Sequence, residues 1–227
     1  MRVKAKYIVK AFNLLDWDAI VPGELDFTEG RDFLLDELLP DASFAILGGN
    51  VSFPGREEDS FESYRMIRRN GLSVLLIGLC NWDYNVNKEK QSVVFEDPYE
   101  FVDRVLAEKG AEADLTIVLS HLGLDGDKKL ASGREEIDLV VGGHSGEQTR
   151  DPILVNSTPI VQAYKLGKYI GRMDFKVEVS EGKVSSLKWE NTIVPLESKF
   201  EEDQSIAALT EQYRKDLIEL HGKSKKK

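Results

Sequence analysis

The stretch DLTIVLSHLGLDGDKKLASGREEIDLVVGGHS, residues 114–145, decides the fold. Residues 114–119 and 137–141 are aliphatic, β-branched runs, and a short helix is predicted near 127–132 between them. Strand, helix, strand, with strands too apolar to alternate between a wet and a dry face, predicts a sheet covered on both sides. Each strand ends in a histidine beside glycine: Ser120-His121-Leu122-Gly123 and Gly142-Gly143-His144-Ser145. A histidine at the C-terminal end of a strand is placed to reach a metal in the crevice above the sheet. These are two of the three histidines in the chain; the third, His221, reads as a surface residue of a terminal helix.

Outward from this stretch the pattern alternates. Residues 1–15 predict an amphipathic helix, with Val3, Tyr7, Ile8, Ala11, Phe12 and Leu15 at helical spacing. Ala19-Ile20-Val21 predicts a short strand stopped by Pro22-Gly23. Residues 30–39 predict a helix ended by Pro40, and Ser43 to Leu47 a buried strand running into Gly48-Gly49-Asn50, where Asn50 reads as a turn residue. Tyr64 to Ile67 and Leu72 to Leu79 predict a hairpin around Asn70-Gly71, a pair that tolerates positive φ. The segment with Trp82, Asp83 and Tyr84 reads as a loop packed on the domain. Asp97-Pro98 predicts a helix start, with Asp as N-cap and Pro at the first position, running to Gly110. Asp125 and Asp127 read as N-capping residues of the next helix rather than a calcium loop, since no glutamate closes one. From 152 onward strands dominate: 153–155, 159–162, 169–179 and 184–194, the last two joined at Glu181-Gly182. Asp203 to Leu220 predicts a closing helix, followed by a solvated basic tail over 221–227.

Composition bounds the reading. At 227 residues and 41% apolar content the chain is long enough to bury a core, and residues 1–220 are expected to form one domain. A net charge of −10 argues against broad nucleic-acid binding, which needs a basic face. No apolar run approaches the roughly 18 residues of a membrane span, and the opening Met-Arg-Val-Lys-Ala-Lys shows no secretory signal. The single Cys80 makes no internal disulfide and reads as a small buried residue.

In their order these motifs resemble the calcineurin-like metallophosphoesterases, specifically the N-terminal metallophosphatase domain of the 5′-nucleotidase and UDP-sugar hydrolase branch. NLLDWDAIVPGELDF, residues 13–27, is similar to the family stretch ending in Gly-Asn-His-Glu. GGNV at 48–51 is similar to its apolar strand ending in Asn-Val. VLSHLGLDGDKKLA and IDLVVGGHS resemble its two histidine segments, and TPIVQAYKLGKYIGRMDF the strand pair that follows. The resemblance covers residues 13–205. It implies an α/β fold of layered sheets flanked by helices, with a β-rich C-terminal third. It implies hydrolysis of phosphate esters such as 5′-nucleotides at two divalent ions that clamp the phosphate. It also implies a periplasmic or extracellular setting, although nothing in this chain shows export.

The chain departs from the family pattern in three places. The Asp-x-His and Gly-Asp strands are expected before residue 13, where only a helix is predicted. Gly-Asn-His-Glu reads Gly23-Glu24-Leu25-Asp26, so Glu24 still offers an oxygen but Leu25 offers no proton. The second ligand of the last motif falls on Gly146, with Glu147 and Gln148 as neighbours. The expected metal donors are therefore His121, His144 and Glu24, with manganese or zinc at partial occupancy and no catalytic residue retained. Three readings stand: a degenerate or truncated phosphoesterase, inactive or weakly active; a non-catalytic binding module with a protein partner; and, as the weaker third, a mononuclear metal hydrolase using His121, His144 and Glu24.

Overall fold

A computed structural model of the chain describes residues 2–80, 92–180 and 183–224. Helix α1 (Arg2–Leu14) leads into strand β1 (Ala19–Ile20) and a 3₁₀ turn, Glu24–Phe27. Helix α2 (Arg31–Phe33) widens into a π turn, Leu34–Leu38, and tightens into a 3₁₀ turn, Leu39–Asp41. The predicted helix over 30–39 is thus composite, and Pro40 lies in its last turn instead of ending it. Phe33, Leu34 and Leu35 are consecutive and all buried, and the π turn closes with the Leu39 N–H donating to the Leu34 carbonyl.

Strand β2 (Ala45–Ile46) pairs in parallel with β1, and β3 (Val51–Ser52) pairs with β6 (Val94–Phe95). Between them lie β4 (Tyr64–Arg69) and β5 (Leu72–Leu79), joined as predicted at Asn70-Gly71, which take φ of 51° and 85°. Helix α3 (Pro98–Lys109) begins at Asp97, whose carboxylate accepts from the Tyr99 and Glu100 N–H groups. Then come β7 (Leu115–Ser120), α4 (Leu124–Ser132), β8 (Leu139–Gly142), β9 (Ile153–Val155) and β10 (Thr158–Val161). The long strands β11 (Tyr169–Ser180) and β12 (Lys183–Pro195) and helix α5 (Gln204–Ser224) follow. The helix carries through residues 221–224. The Glu181-Gly182 turn and the Trp82, Asp83 and Tyr84 loop lie outside the described residues.

The central sheet runs β4-β5-β7-β8-β10-β9, with β5, β7, β8 and β10 parallel. Both faces are covered, as the unbroken apolar strands require. On one face Leu75, Ile77, Leu79, Val118 and Val140 pack with Phe101, Val102 and Val105 of α3 and Leu130 of α4. On the other, Val74, Leu76 and Leu115 meet Ala45 and Leu47, with Val177 and Leu187 of the β11–β12 hairpin against them. Alternate residues of β5 serve opposite faces, and burial of each such side chain contributes about 1.5–3 kcal/mol. Helix α1 is tied to α5 by the Tyr7 hydroxyl donating to Asp216 at 2.6 Å. No helix among the described residues is long and apolar enough to cross a membrane.

Where β5 ends, the packing leaves no slack. A Cβ on Gly78 would land within contact radius of the Leu47 side chain and carbonyl. Asn50, buried, clasps the same end: its amide donates to the Cys80 carbonyl at 3.0 Å and accepts the Cys80 N–H at 2.9 Å. Cys80 itself is buried and donates to the Pro22 carbonyl, and burial pushes its thiol pKa up. Gly78→Ala is expected to lower stability by at least about 2 kcal/mol in a urea melt. Cys80 is expected to resist alkylation in the folded protein and to react only after denaturation, as read by mass spectrometry.

A three-donor cluster at the strand ends

The backbone brings the two histidines together. β7 and β8 are in parallel register with Ser120 opposite Gly142. Hydrogen bonding continues past the strand ends: the His121 N–H donates to Leu79 O, and the Gly143 N–H to Ser120 O, both at 2.8 Å. Both histidines therefore stand at the carboxyl edge of the sheet. Glu24 arrives from a separate segment, at the first position of the 3₁₀ turn after β1. That turn is capped by Asp26, whose carboxylate accepts the Gly23 N–H at 2.8 Å. Gly23 faces His121 so closely that a Cβ there would lie 2.8 Å from the ring's Cε1 and Nε2.

The three expected donors meet. Glu24 Oε2 lies 2.6 Å from His121 Nε2 and 3.4 Å from His144 Nδ1, and the two ring nitrogens are 3.3 Å apart. The imidazoles stand edge to face at 74°. Burial alone would raise the Glu24 carboxyl; its own backbone N–H and His121 outweigh that and hold it below the ordinary range. Two imidazole nitrogens and one carboxylate oxygen form a donor set suited to zinc or manganese. Tetrahedral donors at about 2.1 Å from an ion lie about 3.4 Å apart, close to the two longer separations seen. Glu147 does not join this group among the described residues. The Glu147 N–H donates to the Gln162 side chain, and Gln148 bridges Ala163. Leu25, beside Glu24, is 66% exposed.

Beneath the cluster lies a polar network that sequence reasoning missed. Asp127 was expected to cap α4, but the helix starts one turn earlier, at Gly123 with φ of 81°. Asp125 projects into solvent near Lys128, while Asp127 is fully buried. Its carboxylate accepts from the Ser120 hydroxyl and from Gln162 Nε2. Burial pushes the Asp127 pKa up to about 6, although Ser120 and Gln162 pull it down. The one sequence signal was Gln162, a polar residue directly after the apolar run Pro159 to Val161.

No family model matches the chain. It is 29% identical over 251 residues to a snake venom 5′-nucleotidase from Crotalus adamanteus, covering 97% of this chain and 41% of that protein. It is also 29% identical over 239 residues to a 5′-nucleotidase from Vibrio cholerae, covering 89% and 43%. The chain thus spans less than half the length of the curated relatives it matches. Among solved structures, a 5′-nucleotidase precursor from Thermus thermophilus superposes with a TM-score of 0.81 at 23% identity, over 96% of this chain and 47% of that one. The calcineurin-like phosphoesterase YfkN from Bacillus subtilis gives 0.81 at 22%, over 96% and 77%. The layered fold expected from the sequence is the fold they share.

Asp127 gives the site a pH signature. A carboxyl whose folded pKa, about 6, exceeds its unfolded value of 3.8 adds stability that is present below pH 4 and lost as pH rises through 6. Relative to wild type, Asp127→Asn is therefore expected to gain about 2 kcal/mol between pH 4 and pH 7, measured by urea melts at both values. A constant gap across that range would contradict it.

Proposed function

We propose that this chain, which is related to the 5′-nucleotidase branch of the calcineurin-like metallophosphoesterases, is a metallophosphatase-type domain whose Glu24, His121 and His144 hold one zinc or manganese ion against which a phosphate ester such as a 5′-nucleotide binds. The observation that carries this reading is the meeting of three donor atoms, from three separate segments, all within 4.8 Å of one another. An ion there would polarise a phosphoryl oxygen as a Lewis acid. The chain's own residues do the rest: the hydrogen bond between Glu24 and His121 would give way to the ion, and Gly23 leaves the space the ring occupies.

Turnover is weak in this reading. Leu25 supplies no proton to a leaving oxygen, and the nearby carboxyls are occupied elsewhere. Asp26 holds the Gly23 N–H, and Asp127 is buried beneath the strand ends. Lack of a positioned acid removes a factor of about 10² to 10⁴ in rate. The same exposed Leu25 favours a second reading, in which the scaffold binds its ligand without turnover and presents it to a protein partner. In both readings residues 1–220 act as one domain.

Calorimetric titration of zinc and of manganese into the purified chain tests the proposal. One ion is expected to bind, with affinity reduced more than about 100-fold by His121→Ala. Absence of binding, or binding unchanged in a His121→Ala/His144→Ala variant, would overturn it. Release of phosphate from a 5′-nucleotide, slow in wild type and lost in His121→Ala, separates the weak enzyme from the binding module.

A further inference from the structure

The network under the cluster connects both histidine loops through one carboxylate. On one side Asp127 accepts the Ser120 hydroxyl, and the Ser120 oxygen in turn accepts the Leu122 N–H at 3.1 Å. His121 lies between those two residues. On the other side Asp127 accepts Gln162 Nε2 at 3.4 Å, while Gln162 Oε1 accepts the Ser145 hydroxyl at 3.0 Å and the Glu147 N–H at 3.2 Å. Those two donors lie one and three residues after His144.

The orientation of the Gln162 amide follows from its partners. The Glu147 N–H can only donate, so the oxygen of Gln162 must face it, and the nitrogen must face Asp127. An acceptor at 127 is therefore what the amide nitrogen needs. His144 needs that support: it takes φ of 55°, in the left-handed region, inside a turn closed by Ser145 N–H to Gly143 O at 2.7 Å. A non-glycine residue in that conformation persists only when its surroundings determine it. A fully buried carboxylate is also a costly way to fill space unless its hydrogen bonds serve something. Gly142 leaves it room, since a Cβ there would overlap the Asp127 carboxylate and lie 2.7 Å from Gln162 Nε2.

We infer that Asp127 is a positioning residue that, through Ser120 and Gln162, sets the separation and ring orientation of His121 and His144. This rests on the reading of those histidines as metal donors. Partners that orient metal ligands typically change affinity 10- to 100-fold when removed.

The acceptor that Asp127 offers to both Ser120 and Gln162 supplies the test. Asp127→Leu removes it and leaves Gln162 Nε2 without a partner, so cobalt(II) or zinc affinity is expected to fall at least about 10-fold. Asp127→Asn keeps an oxygen for Gln162 Nε2 and turns its nitrogen toward the Ser120 oxygen, whose hydroxyl can rotate to suit. This variant is expected to stay within about threefold of wild type, with the cobalt(II) visible spectrum of wild type. Ser145→Ala, at an exposed position, keeps the fold and removes one bond, with a smaller loss of a few-fold expected. A folded Asp127→Leu that binds as tightly as wild type would overturn the inference, as would an Asp127→Asn that loses as much as Asp127→Leu. If Asp127→Leu does not fold, an unchanged affinity in Ser145→Ala overturns it and a few-fold loss upholds it. If wild type binds no metal, the metal reading fails by itself. The positioning claim is then read from imidazole nitrogen NMR of the metal-free protein. Asp127→Leu must alter the His121 and His144 signals, or Ser145→Ala those of His144 if Asp127→Leu does not fold; unaltered signals overturn the claim.

Discussion

Parallel pairing of β7 with β8, Ser120 opposite Gly142, is the constraint on which the rest depends. Parallel strands present all their C-terminal ends at one edge, so two histidines each placed just past a strand end become neighbours across 23 residues of chain. The pairing also dictates what lies beneath. At that edge the last paired residues are a serine and a glycine, and between them there is room for a carboxylate and little else. The apolar faces of the same strands, against α3 and α4 on one side and the β11–β12 hairpin on the other, hold the edge rigid.

Much of this was legible in the residues. The unbroken apolar runs gave buried parallel strands, Asn70-Gly71 a hairpin turn with both φ angles positive, and Asp97-Pro98 a capped helix start. His121 and His144 were legible as a metal-facing pair from their places after two apolar strands; Glu24 joined them only through the resemblance, since residues 97 apart in sequence leave no local signal of contact. The failures have physical causes. Two-residue strands such as β3 and β6 carry no periodicity to read. Asp127 is polar and sits near a helix start, so a cap was the natural expectation. Gly123 took the start by adopting positive φ, and this turned Asp127 inward. A buried polar residue is visible only once its partners, here Ser120 and Gln162, are in place. Asn50 sits in the turn expected of it, closed by Val51 N–H to Gly48 O, and its side chain also clasps the end of β5.

The site combines retained and altered chemistry. Glu24 stands where the resembled family has a neutral amide, and in this chain it pairs with His121. Leu25, next to it, is exposed and carries no proton. The donors converge with their supporting network intact while the adjacent position is apolar. The exposed carboxylates that surround the chain, at a net charge of −10, make the pair of imidazoles all the more distinctive as donors.

The central claim is that the three residues form one coordination site. X-ray absorption at the zinc edge, on protein loaded with one equivalent of zinc, tests it most directly. The account predicts a first shell of nitrogen and oxygen near 2.0–2.1 Å with the outer-shell scattering of two imidazoles. A shell without imidazole scattering, or one containing sulfur near 2.3 Å from Cys80, would contradict it.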